Sequence, residues 1–222
     1  MFFGNTTSVG AGSNTLASYT YNSNNGKLNT LTYGNGFSEK YIYDSLDRIS
    51  EIQYNTGSGG AYETVYEYAY NTEGQLHSVT DKTSGEVTVY EYDSAGRLQR
   101  SVVYDGESYR NLYSLSIIYD EDSRIEYLFN YFDYVVGNNK AYEQLRYFYR
   151  YNDEGRIDKV LFNSSNVSTG TGSLEITLDP NYDGLSRVTD NSVSVKINGV
   201  NKFYSKQTYS YFNYNTANTT MM

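Results

Sequence analysis

The chain has 222 residues, a formal net charge of −9 and no cysteine. Disulfides, thiolate metal sites and thiol nucleophiles are therefore excluded, and phosphate repels so acidic a surface, so neither nucleic acid nor an anionic membrane is an expected partner. The apolar material is largely aromatic, with 28 Tyr and 9 Phe beside 19 Gly and a single proline, Pro180, a composition that favours strands and tight turns.

Residues 1–18 read as an irregular lead-in. They open on Met1-Phe2-Phe3-Gly4-Asn5, which lacks the basic and apolar regions of a signal peptide. A motif then begins at Tyr21 and closes on Gly26-Lys27-Leu28. It returns, one residue shorter, as Tyr43-Asp44-Ser45-Leu46-Asp47-Arg48-Ile49. The strand before this turn, Tyr41-Ile42-Tyr43, alternates. The strand after it carries Ile49, Ile52 and Tyr54, a step of three and then a step of two. Alternation puts the tyrosines on one face, and the step of three marks a plug at the turn before a regular strand.

Further along, Tyr66-Glu67-Tyr68-Ala69-Tyr70 leads into Asn71, Gly74 and Gln75, with His77 just beyond. Tyr90-Glu91-Tyr92 leads into Asp93, Gly96 and Arg97. Tyr119 is followed by Asp120 and Arg124. Tyr147-Phe148-Tyr149-Arg150-Tyr151 leads into Asn152, Gly155 and Arg156, and Tyr182 into Asp183 and Arg187. A truncated copy starts at Tyr214-Asn215. The Asp or Asn can bond backbone amides two residues on, and Gly74, Gly96 and Gly155 supply the positive φ that such turns need.

Between heptamers lie hairpin signals at Ser84-Gly85, Asp105-Gly106 and Asn198-Gly199. Gly137-Asn138-Asn139-Lys140 divides two strand-like runs, and Ser164 to Ser173 reads as a longer loop. Successive motif starts are 22 to 32 residues apart. The shortest spacing holds two strands and two short turns, and the longer ones are expected to lengthen the connection. No helical period is long enough to assign, and no apolar run is long enough for membrane insertion as a helix.

The expected product is all-β: an antiparallel meander of hairpin repeats in one continuous sheet that coils as twist accumulates. Residues 19–215 read as a single domain of about seven repeats, and 216–222 as a tail. Open edges and missing caps make self-association an expected hazard.

Chemistry reads more weakly than structure. Tyrosines at the strand period build cross-strand ladders, although their rings would also suit a carbohydrate-binding module at a cell surface. Lys27, Arg48, Arg97, Arg124, Arg156 and Arg187 recur in phase with the turn. Each is expected to pack over a neighbouring tyrosine, or to bind the turn's carbonyls or acid. His77 reads as a surface residue, with no fixed nucleophile or orienting acid. Asp120, Glu121 and Asp122 lack the ligand spacing of a calcium loop. Neither a catalytic residue nor a cofactor is expected.

The heptamers resemble the YD repeats of the Rhs family. The phrase Leu31-Thr32-Tyr33-Gly34-Asn35-Gly36 followed by Tyr41-Ile42-Tyr43-Asp44 is especially similar. The family includes bacterial Rhs and wall-associated polymorphic toxins, the C component of insecticidal toxin complexes and the barrel of teneurins. The resemblance covers roughly residues 19–215. It implies a spiral sheet whose turns stack into a shell, enclosing a C-terminal toxic polypeptide or forming a rigid surface barrel. It also implies a structural rather than enzymatic role, further YD repeats or a toxin cargo as partners, and a secreted or cell-surface location. Large members end the shell in a self-cleaving segment. Asp179-Pro180-Asn181-Tyr182-Asp183-Gly184-Leu185 is superficially similar to its Asp-Pro-x-Gly-Leu, but Tyr182-Asp183 already begins an ordinary repeat, so no self-cleavage is expected.

Overall fold

The computed structural model describes residues 5–55, 60–136, 139–166 and 173–211. Every regular element among them is a strand. They are β1 (Ser8–Ala11), β2 (Asn14–Tyr21), β3 (Leu28–Tyr33), β4 (Ser38–Tyr43), β5 (Ile49–Asn55), β6 (Glu63–Tyr70), β7 (Leu76–Asp81), β8 (Val87–Tyr92), β9 (Leu98–Tyr104) and β10 (Asn111–Tyr119), followed by β11 (Ile125–Val136), β12 (Asn139–Tyr151), β13 (Ile157–Asn166), β14 (Ser173–Tyr182), β15 (Val188–Ile197) and β16 (Val200–Thr208). They follow one another in sequence order in one open sheet, each antiparallel to the next wherever a register is defined. Contacts group the chain into two compact units, Met1–Gly96 with Ser101–Asn111, and Arg97–Arg100 with Leu112–Met222.

In the first unit the strands are short, four to eight residues from β1 to β8. The lead-in is not irregular throughout. Ser8–Ala11 pairs with the first half of β2 across a turn in which Gly12 takes φ 63°. Small polar residues hide this hairpin from an alternation test, and β1 is exposed throughout, as are the first three residues of β2. The aromatic residues Tyr33, Phe37, Tyr54 and Tyr66 form a run of ring contacts, with centroids 5.1 to 6.3 Å apart.

In the second unit the strands lengthen, to 12 residues in β11 and 13 in β12. The added length enters strands, where lengthened connections were expected, because aromatic and aliphatic residues continue on both faces. Tyr113 packs on Phe132, Tyr127 on Phe148 and Tyr147 on Phe162, each pair directly opposed in register. Such pairs contribute about 0.5–1.5 kcal/mol each beyond area burial. Pairing likewise shortens the loop read at Ser164–Ser173: β13 runs on to Asn166 and β14 begins at Ser173. Residues 167–172, Gly137-Asn138 and Tyr214-Asn215 lie outside the described residues. Pro180 stands past the last β13–β14 pair, Val160 with Leu178, where its missing N–H breaks no ladder with β13.

Full burial is rare. Among the described residues only Val102, Ile117 and Ala141 are buried apolar residues, and Ser38 and Ser114 buried polar ones. Most strand positions are half-buried. A wall this thin gains its stability mainly from backbone pairing and from contacts between successive turns.

Candidate functional site

Five of the heptamer tyrosines, and Tyr21 of the longer copy, sit beside a register shift of one kind. Tyr43 pairs with Ile49, but Ile42 pairs with Glu51, so Ser50 is left over on the outgoing strand. The same shift leaves over Asn29, His77, Glu126, Asp158 and Thr189. The step of three in the sequence is therefore a β-bulge, with one unpaired residue between two inward positions. His77 occupies one of these bulges and is exposed.

The turn beneath each bulge is built from its second residue. Asp44 N–H donates to the Arg48 carbonyl at 2.8 Å, and Asp47 N–H to the Asp44 carbonyl at 3.0 Å. Asp44 Oδ1 accepts from the amides of Leu46 and Arg48, both at 2.9 Å. Its Oδ2 accepts from Arg48 Nε at 2.8 Å and lies 2.7 Å from Nη2. Asp120 and Asp183 repeat this clamp on Arg124 and Arg187. The Arg48 amide, followed by the Arg48 guanidinium, pulls the Asp44 carboxyl below its usual range. The Arg187 guanidinium leads for Asp183. At Asp120 desolvation pushes upward, and the Arg124 amide and guanidinium outweigh it.

The fifth residue is left-handed in every copy of seven. Gly74, Gly96 and Gly155 take φ 86°, 79° and 77°, and Asp47, Ser123 and Ser186 take 63°, 64° and 63°. A type I turn followed by a left-handed residue fits the twist of the strands it joins. At Gly106 the need for glycine is different. A Cβ there would lie 1.9 Å from the Gly85 carbonyl oxygen. The Asp105-Gly106 hairpin signal is therefore resolved as a longer turn, in which Tyr109 takes the positive φ and donates its N–H to the Asp105 carbonyl. Asn198-Gly199 is the expected two-residue turn, with φ 52° and 74°.

The first and sixth residues join one turn to the next. The hydroxyls of Tyr43, Tyr70, Tyr92, Tyr119, Tyr151 and Tyr182 donate to the carbonyls of Leu28, Ile49, Leu76, Leu98, Ile125 and Ile157, each at 2.8 Å. Each acceptor is the closing residue of the preceding motif. The guanidinium carbons of Arg48, Arg97, Arg124 and Arg156 lie 4.0, 4.2, 4.5 and 4.9 Å from the ring centroids of Tyr70, Tyr119, Tyr151 and Tyr182. Lys27 stands 5.2 Å from the Tyr43 centroid and also donates to the Asp47 carbonyl. In Arg48 and Arg124 the two sequence readings hold together: each binds its own acid and covers the next tyrosine.

Three features escaped the sequence reading. The next rung of the ladder is Tyr211, which donates to the Val188 carbonyl at 2.8 Å and lies under Arg187 at 4.5 Å. Tyr211 lacks the Asp or Asn that marked the other copies. Gln75 replaces the arginine without breaking the link, since its Nε2 donates to the Gly96 carbonyl at 2.9 Å. Asn152 cannot accept from the Arg156 guanidinium as an aspartate does, and Arg156 Nε is buried without a partner. The acids at Asp120 and Asp122 both bind Arg124.

Residues 70–107 match the RHS Repeat family model. No curated protein matches the chain in sequence. Among solved structures, the TcdB2–TccC3–Cdc42 crystal structure aligns over 86% of this chain and 10% of its own, with a TM-score of 0.67 at 14% identity. A Photorhabdus luminescens Tc holotoxin pore aligns over 79% of this chain and 12% of its own, with a TM-score of 0.47 at 12% identity. The chain thus spans about a tenth of the length of the first of these, which is a likeness of fold. The matched RHS Repeat lies inside an array whose turns share one tyrosine-to-carbonyl link, so the chain is similar to the Rhs, or YD-repeat, family in this repeat and in its fold.

Proposed function

We propose that this segment forms part of the wall of an Rhs-type shell around a toxic polypeptide, at a secreted or cell-surface location. The observation that carries the reading is the recurrent link between turns. In the motifs starting at Tyr43, Tyr70, Tyr119, Tyr151 and Tyr182, one ring spends its hydroxyl on the preceding turn and its face on that turn's cation. Side chains committed in this way are walls between neighbours and not presented ligands. That supports the structural reading over a glycan module, which needs open aromatic faces.

Limited proteolysis of the full translated product tests it. A polypeptide held inside the shell resists trypsin until the wall is weakened, here by Tyr119→Ala combined with Tyr151→Ala. Digestion of every downstream segment at the same rate before and after weakening overturns the proposal.

A further inference from the structure

The motif starting at Tyr70 differs from its neighbours at its sixth position, and a groove opens beside it. On either side the sixth residue is Arg48 or Arg97, with its guanidinium over the tyrosine of the following motif. Gln75 is shorter and neutral. Its amide is taken up at the turn, donating to the Gly96 carbonyl at 2.9 Å and accepting from Asn71 Nδ2 at 3.0 Å. Among the described residues no cation lies over the Tyr92 ring. The groove there has a volume of about 770 Å³ and is lined by Glu73, His77, Tyr90, Tyr92, Asp93 and Gly96, among others.

We propose that this groove binds the arginine side chain of a partner polypeptide, its guanidinium taking the place over Tyr92 that the chain's own arginines take over the equivalent rings. The protein itself supplies the precedent. Five of its guanidiniums lie 4.0 to 4.9 Å from such a ring. Tyr92 is held as the others are, with its hydroxyl on the Leu76 carbonyl at 2.8 Å, so the receiving face is fixed before any ligand arrives. Glu73 places a carboxylate on the lining, and a net charge of −9 draws cations toward the surface. Arginine is favoured over lysine because its planar head stacks on a ring while its remaining N–H groups stay available to carboxylates. The volume leaves space for the stem and for flanking peptide.

The test is an NMR titration of the whole chain with N-acetylarginine amide, beside the citrulline analogue, which has the same shape and no charge. The expected result is a saturable shift of the Tyr92, Asp93 and Gly96 amides with arginine and none with citrulline. Gln75→Arg tethers a guanidinium in the same place and should weaken binding roughly tenfold or more, with its folding checked by circular dichroism. Glu73→Gln, on an exposed side chain that keeps an oxygen to accept from Thr72 Oγ1, should weaken it several-fold. Equal shifts with citrulline, no saturation in the unaltered chain, or unchanged affinity in both variants overturns the proposal. None of these outcomes bears on whether the array forms a shell wall.

Discussion

Aspartate and asparagine are not equivalent at the second position of the turn, and the difference is legible atom by atom. Either side chain can accept from the backbone amides two and four residues on. Only aspartate brings a second anionic oxygen for the guanidinium, as in Asp44, Asp120 and Asp183. Asn71 is matched by Gln75, an amide to an amide, whereas Asn152 is paired with an arginine and leaves Arg156 Nε unsatisfied. Asn152→Asp should therefore raise the thermal midpoint by a few degrees, read by circular dichroism; a fall would show that Asp153 and Glu154 already crowd the turn with negative charge. The same clamp sets an acid response. The folded carboxyls of Asp44, Asp120 and Asp183 are held below their ordinary value of 3.8. Their contribution is complete above that value and is lost as pH falls through the lower folded pKa. Urea midpoints measured downward from pH 5 should drop below about pH 4, and the drop should be smaller in Asp183→Asn, which begins weaker at neutral pH. A drop of the same size in both would place the acid sensitivity elsewhere.

Turns and bulges are the elements in which the sequence was informative to different depths. The second residue, the fifth-position glycines and the apolar closure were readable because turn chemistry restricts residue type at each place. Ser123 and Ser186 were not readable as left-handed, since serine carries no such preference; here the surrounding turn imposes the conformation. Tyr211 was missed because its role depends on the Val188 carbonyl in space and not on a local motif. A left-handed non-glycine costs about 1–2 kcal/mol, and glycine returns about 0.5–1 kcal/mol of that as lost chain entropy. Ser123→Gly should thus stabilise by up to about 1 kcal/mol in urea melts. Gly96→Val should destabilise by more, because a β-branched residue enters a left-handed site where a Cβ would already lie 3.4 Å from Gln75 Nε2. The bulge gives a sharper contrast. His77 is the unpaired residue between Leu76 and Ser78, and its exposed side chain makes His77→Ala worth no more than about 0.5 kcal/mol. Deleting His77 instead removes the bulge while Leu76 stays opposite Tyr70 and Ser78 opposite Ala69, so the faces are kept and the bend and added twist above the turn are lost. The deletion should loosen the Tyr70 turn more than the alanine variant does, seen as lost amide-exchange protection in β6 to β8. A deletion as mild as the alanine variant would show that the bulge is ornamental.

At the scale of the whole molecule, repetition matters more than any one contact. The link that joins Tyr70 to Ile49 also joins Tyr92 to Leu76 and Tyr119 to Leu98, so stability should add up from units and from their nearest-neighbour interfaces. Such an array tolerates loss of a complete period and not of a partial one. Residues 71–92 form one period between equivalent tyrosines, and their removal joins Tyr70 directly to Asp93. The Tyr70 hydroxyl keeps the Ile49 carbonyl, Arg48 keeps the Tyr70 ring, and the turn that follows is Asp93 to Arg97 in place of Asn71 to Gln75. β6 then meets β9 with the register that β8 had, since both strands end on the same tyrosine of the motif. The shortened chain should fold to a sheet with an unchanged far-ultraviolet spectrum per residue and a smaller urea m-value, because less surface is exposed on unfolding. Removing residues 71–91 instead shifts the phase by one, puts two tyrosines in succession at the head of the turn and inverts the faces of the strand that follows. That chain should collapse without cooperative unfolding. If both deletions fold equally well, or if neither does, the period has no structural meaning and the turn-to-turn link is not what holds the array together.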